Sequence, residues 1–197
     1  MFISFEGIDG SGKSTQATLL HDWLVGQQHE VVYTREPGGT ALGEGVRQLL
    51  LEGPDMTAWA EAALYASARA ELVERVIRPA LERDAWVICD RYIDSSVAYQ
   101  GIGRGLGVGR VLELNLAATR GLMPDLTFVL LLPPAEAHRR SKGVRDRIER
   151  EGDVFFQVVD EAYRGLAAIF PQRIVALDGR RPVEALAQEI RGRVPEG

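Results

Sequence analysis

The chain has 197 residues, 46% of them hydrophobic and 26% charged, with a net charge of −5. Such a length suits one domain with a substantial core, and the acidic balance argues against non-specific binding to duplex nucleic acid or anionic membrane. A single cysteine, Cys89, excludes an internal disulfide, and no apolar run approaches the ~20 residues of a membrane span.

The first element predicted is a short apolar strand over 1–5, Met1-Phe2-Ile3-Ser4-Phe5. Because the chain starts with a strand and no basic, cleavage-type leader, a cytoplasmic protein is expected. Gly7-Ile8-Asp9-Gly10-Ser11-Gly12-Lys13-Ser14 follows and fits the phosphate-binding pattern G-x-x-x-x-G-K-S/T at every fixed position. An amphipathic helical pattern over 14–27 comes next, so strand, glycine loop and helix stand in the order the motif needs. Glycines let backbone N–H groups surround phosphate oxygens, and the helix N-terminus adds positive potential. Gly7, Gly10, Ser11, Gly12 and Thr15 are therefore candidate nucleotide contacts. Lys13 is the candidate for the β/γ-phosphates of a nucleotide triphosphate, and the Ser14 hydroxyl for Mg²⁺. Lysine occurs only at 13 and 142, which makes its place in this loop harder to ascribe to chance.

Further strands are predicted over 30–34, 85–89, 126–132 and 173–177. Helical patterns cover 41–51, 57–83, 108–120, 134–141, 153–169 and 182–193. The strands are mostly apolar without strict alternation, as in a buried parallel sheet. Repeated strand–helix order implies an α/β fold with a doubly wound, five-stranded parallel sheet flanked by helices. Cys89 falls in the third strand and reads as a buried, inert thiol. No linker, repeat or low-complexity tract interrupts the chain, so one domain is expected over 1–197. The glycine-rich stretch 101–109 reads as a surface loop before a helix.

Ligands in such folds bind beyond the C-terminal ends of the strands. After the second strand comes Thr34-Arg35-Glu36-Pro37-Gly38-Gly39-Thr40, readable as a ligand-facing turn or as an ordinary one. Asp90-Arg91-Tyr92 follows the third strand. Asp90 stands where phosphate-loop proteins place a second Mg²⁺ ligand. A bound phosphate would explain Arg91, as would an ion pair with Asp90. Tyr65 and Arg69, four apart, share one helix face; on spacing alone a core tyrosine and a surface arginine is the simpler reading. Residues 138–150 hold six Arg or Lys in an otherwise acidic chain. They form either a solvated helix laced with ion pairs or a lid that closes cations over transferring phosphates.

These motifs together resemble the bacterial thymidylate kinases. The resemblance runs nearly end to end. It rests on Phe5 through Thr15, on Thr34 through Thr40, on Asp90-Arg91-Tyr92 with Ser95 through Gly101, and on Asp146-Arg147-Ile148-Glu149 followed by Phe155-Phe156. It implies a fold like that of the P-loop nucleoside monophosphate kinases and transfer of phosphate from ATP to dTMP with Mg²⁺. It also implies a homodimer and a lid at about 139–151. By the same resemblance Tyr65 stacks on thymine and Arg69 donates to a thymine carbonyl. Asp9 lies near the sugar 3′-hydroxyl and the metal, and Arg91 clamps the dTMP phosphate. Arg35, Pro37, Ser96, Tyr99 and Gln100 join the substrate contacts. The phosphate loop carries no basic residue at its variable positions, as in the subgroup whose catalytic cation comes from the lid. Arg147, Arg145 and Lys142 are the candidates, with Arg147 first.

Two other classes fit the phosphate loop alone. A switch GTPase would show Asn-Lys-x-Asp, but Asn115 is the only asparagine and Leu116 follows it. A nucleoside kinase, or a kinase for another monophosphate, remains the alternative. A nucleoside kinase needs a general-base carboxylate at the 5′-hydroxyl, whereas a monophosphate acceptor is already an anion.

Overall fold

The computed structural model describes residues 1–140 and 146–195. Five strands, β1 (Phe2–Glu6), β2 (Val31–Arg35), β3 (Trp86–Asp90), β4 (Leu126–Leu131) and β5 (Ile174–Asp178), form one parallel sheet in the order β2-β3-β1-β4-β5. The order reverses at β1, so the crevice beyond β1 and β3 is the topological switch point where ligands of such sheets bind. Phe5 pairs in register with Asp90, and Arg35 with the same aspartate, which sets three strand ends side by side.

Side chains along the strands alternate between two cores, as the period of two requires. Phe2, Val87, Cys89 and Val129 face one layer. It is built by α3 (Ala58–Leu72), α4 (Arg78–Glu82) and α8 (Asp153–Ile169). Ile3, Phe5, Ile88, Phe128 and Leu130 face the other. That layer is made by α1 (Lys13–Gly26) and α9 (Val183–Arg191). Full burial of each such side chain contributes about 1.5–3 kcal/mol, so the three central strands anchor the sheet. Cys89 is fully buried, as expected of an inert thiol.

Two departures from the sequence reading bear on function. The single helix expected over 57–83 is interrupted by a wide π-helical turn, Val73–Ile77. Pro79, just inside α4, lacks an N–H and crowds the carbonyl four residues earlier, and the wider turn relieves both problems. The glycine-rich stretch is not all surface loop. After the short helix α5 (Ile93–Ser96), Val97–Gly103 forms a second π-helical turn with Tyr99, Gln100 and Gly101 buried. A Cβ at Gly103 would lie 2.8 Å from the Phe155 ring, so glycine admits the close approach of α8. The remaining helices are α2 (Ala41–Glu52), α6 (Val108–Thr119) and α7 (Pro134–Arg140).

Candidate active site

The phosphate loop is shaped by backbone that only glycine adopts easily. Gly10 has φ +81, and a Cβ there would sit 2.3 Å from the Ala137 carbonyl oxygen; Gly7 has φ +131 and lies against Leu130 in the same way. The loop delivers Lys13 to the first turn of α1. Lys13 Nζ donates to Asp9 Oδ1 at 2.9 Å, and Arg91 Nη2 donates to the same oxygen at 2.8 Å. Burial alone would raise the Asp9 carboxyl, but Arg91 and then Lys13 hold it far below the usual carboxylate range. Arg91 therefore pairs with Asp9, not with its neighbour Asp90. The Ser14 hydroxyl donates to Asp90 Oδ2, while Asp90 Oδ1 is buried with no hydrogen-bond partner among the described residues.

Arg91 has φ +72, a left-handed conformation uncommon for a side-chain-bearing residue. Its backbone is clamped on both sides. Its N–H donates to the Phe5 carbonyl at 2.9 Å, and its own carbonyl accepts from Cys89 Sγ at 3.0 Å. The next N–H, of Tyr92, donates to Glu6 Oε1 at 2.8 Å. Glu6 Oε2 accepts from Ser95 Oγ at 2.5 Å and from Tyr163 Oη at 2.9 Å. Burial, and then the charge of Asp94, push the Glu6 carboxyl up to about 7 despite these donors.

A cleft of about 550 Å³, open to solvent, runs from Asp9 and Arg91. Tyr65, Ser96, Tyr99 and Gln100 form part of its wall, and Pro37, Arg47, Asp146 and Ile148 lie on it as well. The Arg91 guanidinium sits over the Tyr99 ring, 5.3 Å from its centroid. Arg69 also reaches the wall, yet it is only 1% exposed, the opposite of a surface charge. Its donors are taken by protein groups: Glu36 Oε2 (2.7 Å from Nε, 2.5 Å from Nη2), Ser96 Oγ (2.9 Å), the Tyr92 carbonyl (3.0 Å) and Asn115 Oδ1. Arg69 thus braces the cleft wall from behind. Glu36 Oε1 is buried without a hydrogen-bond partner among the described residues, and burial raises the Glu36 carboxyl although Arg69 opposes it.

Arg35 is not brought to this cleft. It is exposed and reaches Glu44 at 3.2 Å, while Arg47, on α2, donates to the Pro37 carbonyl at 3.1 Å and lines the wall. Arg147 is also not brought to it. The wall takes Asp146 and Ile148, and Arg147 between them turns the other way. It is 7% exposed, with Nη2 on Glu61 Oε2 at 2.8 Å and Nε on the Leu50 carbonyl at 2.8 Å. Its partner is Glu61, not the nearby Glu149 or Glu151. Lys142 and Arg145 lie outside the described residues.

A second cleft, of about 670 Å³, opens on the other flank of the phosphate loop. Ser11, Gly12 and Thr15 form one side, and Arg140, Gly179 and Arg181 another. Arg140 Nη1 donates to the Gly179 carbonyl at 2.8 Å, tying the end of α7 to the segment after β5.

A family model for thymidylate kinase matches residues 5–190. A thymidylate kinase of Gloeobacter violaceus is 53% identical over 98% of this chain and 94% of its own length. One of Clavibacter sepedonicus is 51% identical, over 98% and 93%. The chain belongs to the thymidylate kinase family. A crystal structure of the thymidylate kinase from Ehrlichia chaffeensis superposes with a TM-score of 0.80 at 34% identity, covering 98% of this chain and 96% of that one. The fold is that of the family: five parallel strands flanked by helices around a phosphate loop.

Three parts of the candidate site were not legible in the sequence motifs. The second cleft depends on the segment after β5, where Asp178-Gly179-Arg180-Arg181-Pro182 ends a strand in the same polar way as the two turns that were singled out. Glu6 stood in the matched motif, just past the strand predicted over 1–5, and was given no role. Glu61 carried no signal, because its partners are distant in sequence.

Proposed function

We propose that the chain transfers the γ-phosphoryl group of ATP to dTMP, giving ADP and dTDP. Family membership supports the reaction. The observation that carries the site assignment is the pair of clefts flanking one phosphate loop, with Lys13, Asp9 and Arg91 joined at the inner end of the first. In this reading dTMP occupies the cleft of Tyr65 and Gln100, its phosphate toward Arg91. ATP lies with its phosphates on Gly7–Thr15 and its base in the cleft of Gly179 and Arg181. Asp9 Oδ1 holds both cations, which leaves Oδ2 for the sugar 3′-hydroxyl or the metal.

A phosphate oxygen of dTMP forms the new bond to the γ-phosphorus as the bond to the ADP oxygen breaks. The acceptor is an anion, so no general base is required. Lys13 and Arg91 offset charge spread over the transferring group, in fixed positions that need no reorganisation. Ser14, Asp90 and Asp9 fit Mg²⁺: a hydroxyl and carboxylates, one with an unpartnered buried oxygen, suit an ion that takes its other ligands from phosphates and water. When bound, Mg²⁺ would supply positive charge against the phosphates as the phosphoryl group moves.

We further propose one kinase domain over 1–197 and a lid at about 139–151 that supplies the remaining cation. With Arg147 engaged by Glu61, that role falls to Arg145, then Lys142. A homodimer is proposed on the exposed apolar residues Leu42 and Leu49 of α2 and Trp59 of α3, each at least 45% exposed. A cytoplasmic location accords with the finding that, among the described residues, no helix is long and apolar enough to cross a membrane.

The test is a coupled ADP assay with ATP, Mg²⁺ and a panel of acceptors. Turnover with dTMP is expected; turnover with thymidine and none with dTMP would overturn the assignment.

A further inference from the structure

Glu6 closes β1 and is fully buried, yet the proposed phosphoryl transfer gives its carboxylate no task. A carboxylate is costly to bury unless its oxygens are used. Here both oxygens lead to Arg91. Oε1 accepts at 2.8 Å from the N–H of Tyr92, the first amide after Arg91. Oε2 accepts from Ser95 Oγ at 2.5 Å and from Tyr163 Oη at 2.9 Å. Ser95 Oγ in turn accepts from Arg91 Nη1 at 3.3 Å.

Arg91 is held at two levels by these contacts. Its φ of +72 is a conformation that a residue with a Cβ keeps only where the surroundings over-determine it. The N–H of residue 91 is held by the Phe5 carbonyl and the N–H of residue 92 by Glu6, so the backbone between them is fixed at both ends. The side chain leaves this turn toward Asp9, where Nη2 donates at 2.8 Å. Its other Nη is held through Ser95. A serine hydroxyl has one hydrogen, and a carboxylate can only accept. With that hydrogen on Glu6 Oε2, the lone pairs of Ser95 Oγ are left for Arg91 Nη1. The carboxylate thus sets the polarity of the serine as well as the path of the backbone.

We infer that Glu6 is a positioning residue for phosphoryl transfer: it holds Arg91 in its left-handed turn through the Tyr92 N–H and turns Ser95 to accept from the guanidinium, so that the cation stands fixed where the acceptor phosphate arrives. This rests on the proposed reading of Arg91 as the clamp on the dTMP phosphate. A cation already in place stabilises a moving phosphoryl group without reorganisation, and one that must be re-aimed at each turnover does so less well. Glu6→Gln keeps the shape and removes the arrangement, because an amide has one accepting end. With its oxygen toward Tyr92, its NH₂ faces Ser95, and the serine hydrogen is no longer fixed. With the amide turned over, NH₂ opposes the Tyr92 N–H. Each orientation loosens one of the two holds on Arg91.

The experiment is a double-mutant cycle. Steady-state kinetics for ATP and dTMP are measured in the wild type, Glu6→Gln, Arg91→Ala and the double variant, with thermal melts alongside. The pH is set well above the value of about 7 to which burial raises the Glu6 carboxyl. Glu6→Gln should lower kcat by about tenfold or more and leave KM for ATP unchanged, since the disturbance is on the acceptor side. In the Arg91→Ala background the same substitution should lower kcat by less than about twofold, because a residue that acts through Arg91 has nothing left to position. If Glu6→Gln melts below the assay temperature, Ser95→Ala takes its place in the cycle with the same expectation. It removes the hold on the guanidinium and leaves Glu6 its Tyr92 and Tyr163 donors. Equal losses in the two backgrounds would make the network purely structural, and an undiminished kcat in Glu6→Gln would leave it without a role in the reaction; both results overturn the inference. An Arg91→Ala variant with wild-type kinetics for dTMP would instead overturn the reading of Arg91 as the phosphate clamp.

Discussion

At Lys13 the ammonium sits 2.9 Å from Asp9, on the rim of the loop that would hold the donor phosphates. Lys13→Ala removes a point charge from the transferring group and leaves the glycine backbone of the loop in place. The expected loss is in kcat, on the scale of ~2.7–4 kcal/mol for one transition-state donor. Steady-state kinetics with kcat within tenfold of wild type would show that the phosphates bind elsewhere. Glu6 gives a prediction of another kind. Its carboxyl rises from 4.5 to about 7 on folding, so between those pH values the folded chain keeps a proton that the unfolded chain has released. Glu6 therefore favours the folded state most fully below the lower value, and the contribution is lost as pH rises through the upper one. Glu6→Gln cannot titrate. Its stability relative to wild type should improve with pH across this window by an amount on the order of 2–3 kcal/mol. Denaturant melts of both chains without nucleotide, from pH 4.5 to 7.5, measure the difference; a flat difference would contradict the burial argument. Both residues stood in one sequence motif, yet only the lysine announced its chemistry. The environment of Glu6 is made by Tyr92, Ser95 and Tyr163, which nothing near it in sequence discloses.

Element by element, the strands were legible to within a residue. The runs 1–5, 30–34, 85–89 and 173–177 stop one residue short of the sheet ladder, which continues to Glu6, Arg35, Asp90 and Asp178, whereas 126–132 runs one residue past Leu131. Backbone pairing does not require an apolar side chain, and three of these closing carboxylates stand on the sheet's functional edge. The basic run 138–150 was legible as charge but not as contact. Arg147 belongs to the basic run, and its partner Glu61 lies 86 residues away in sequence. Arg147→Ala leaves Glu61 with Arg104 and Gln100, so the expected cost is about 1–3 kcal/mol of stability, seen as a lower melting temperature. Arg145→Ala, by the proposed lid role, should lower kcat with little change in KM or melting temperature. Kinetics and melts of the two variants side by side decide this. Normal stability in Arg147→Ala, with kcat reduced, would return that residue to the catalytic lid.

For the whole molecule, alternation of apolar runs with helical patterns was enough to give the parallel sheet and its two helical layers, because a sheet buried on both faces has few other solutions. The strand order, with β1 between β3 and β4, then places every polar strand-end turn along one edge. What the sequence could not supply was the division of that edge into two clefts. It depends on Arg140, Gly179 and Arg181 meeting the loop from elements far apart in the chain. The proposed reaction depends on that division: one cleft for the acceptor base, the other for the donor. Tyr65→Ala tests it most directly. Base stacking on an aromatic side chain is worth ~1–3 kcal/mol, so KM for dTMP should rise by roughly five- to 150-fold while KM for ATP changes little. A variant that instead weakens ATP and leaves KM for dTMP unchanged would show that the two sites are reversed.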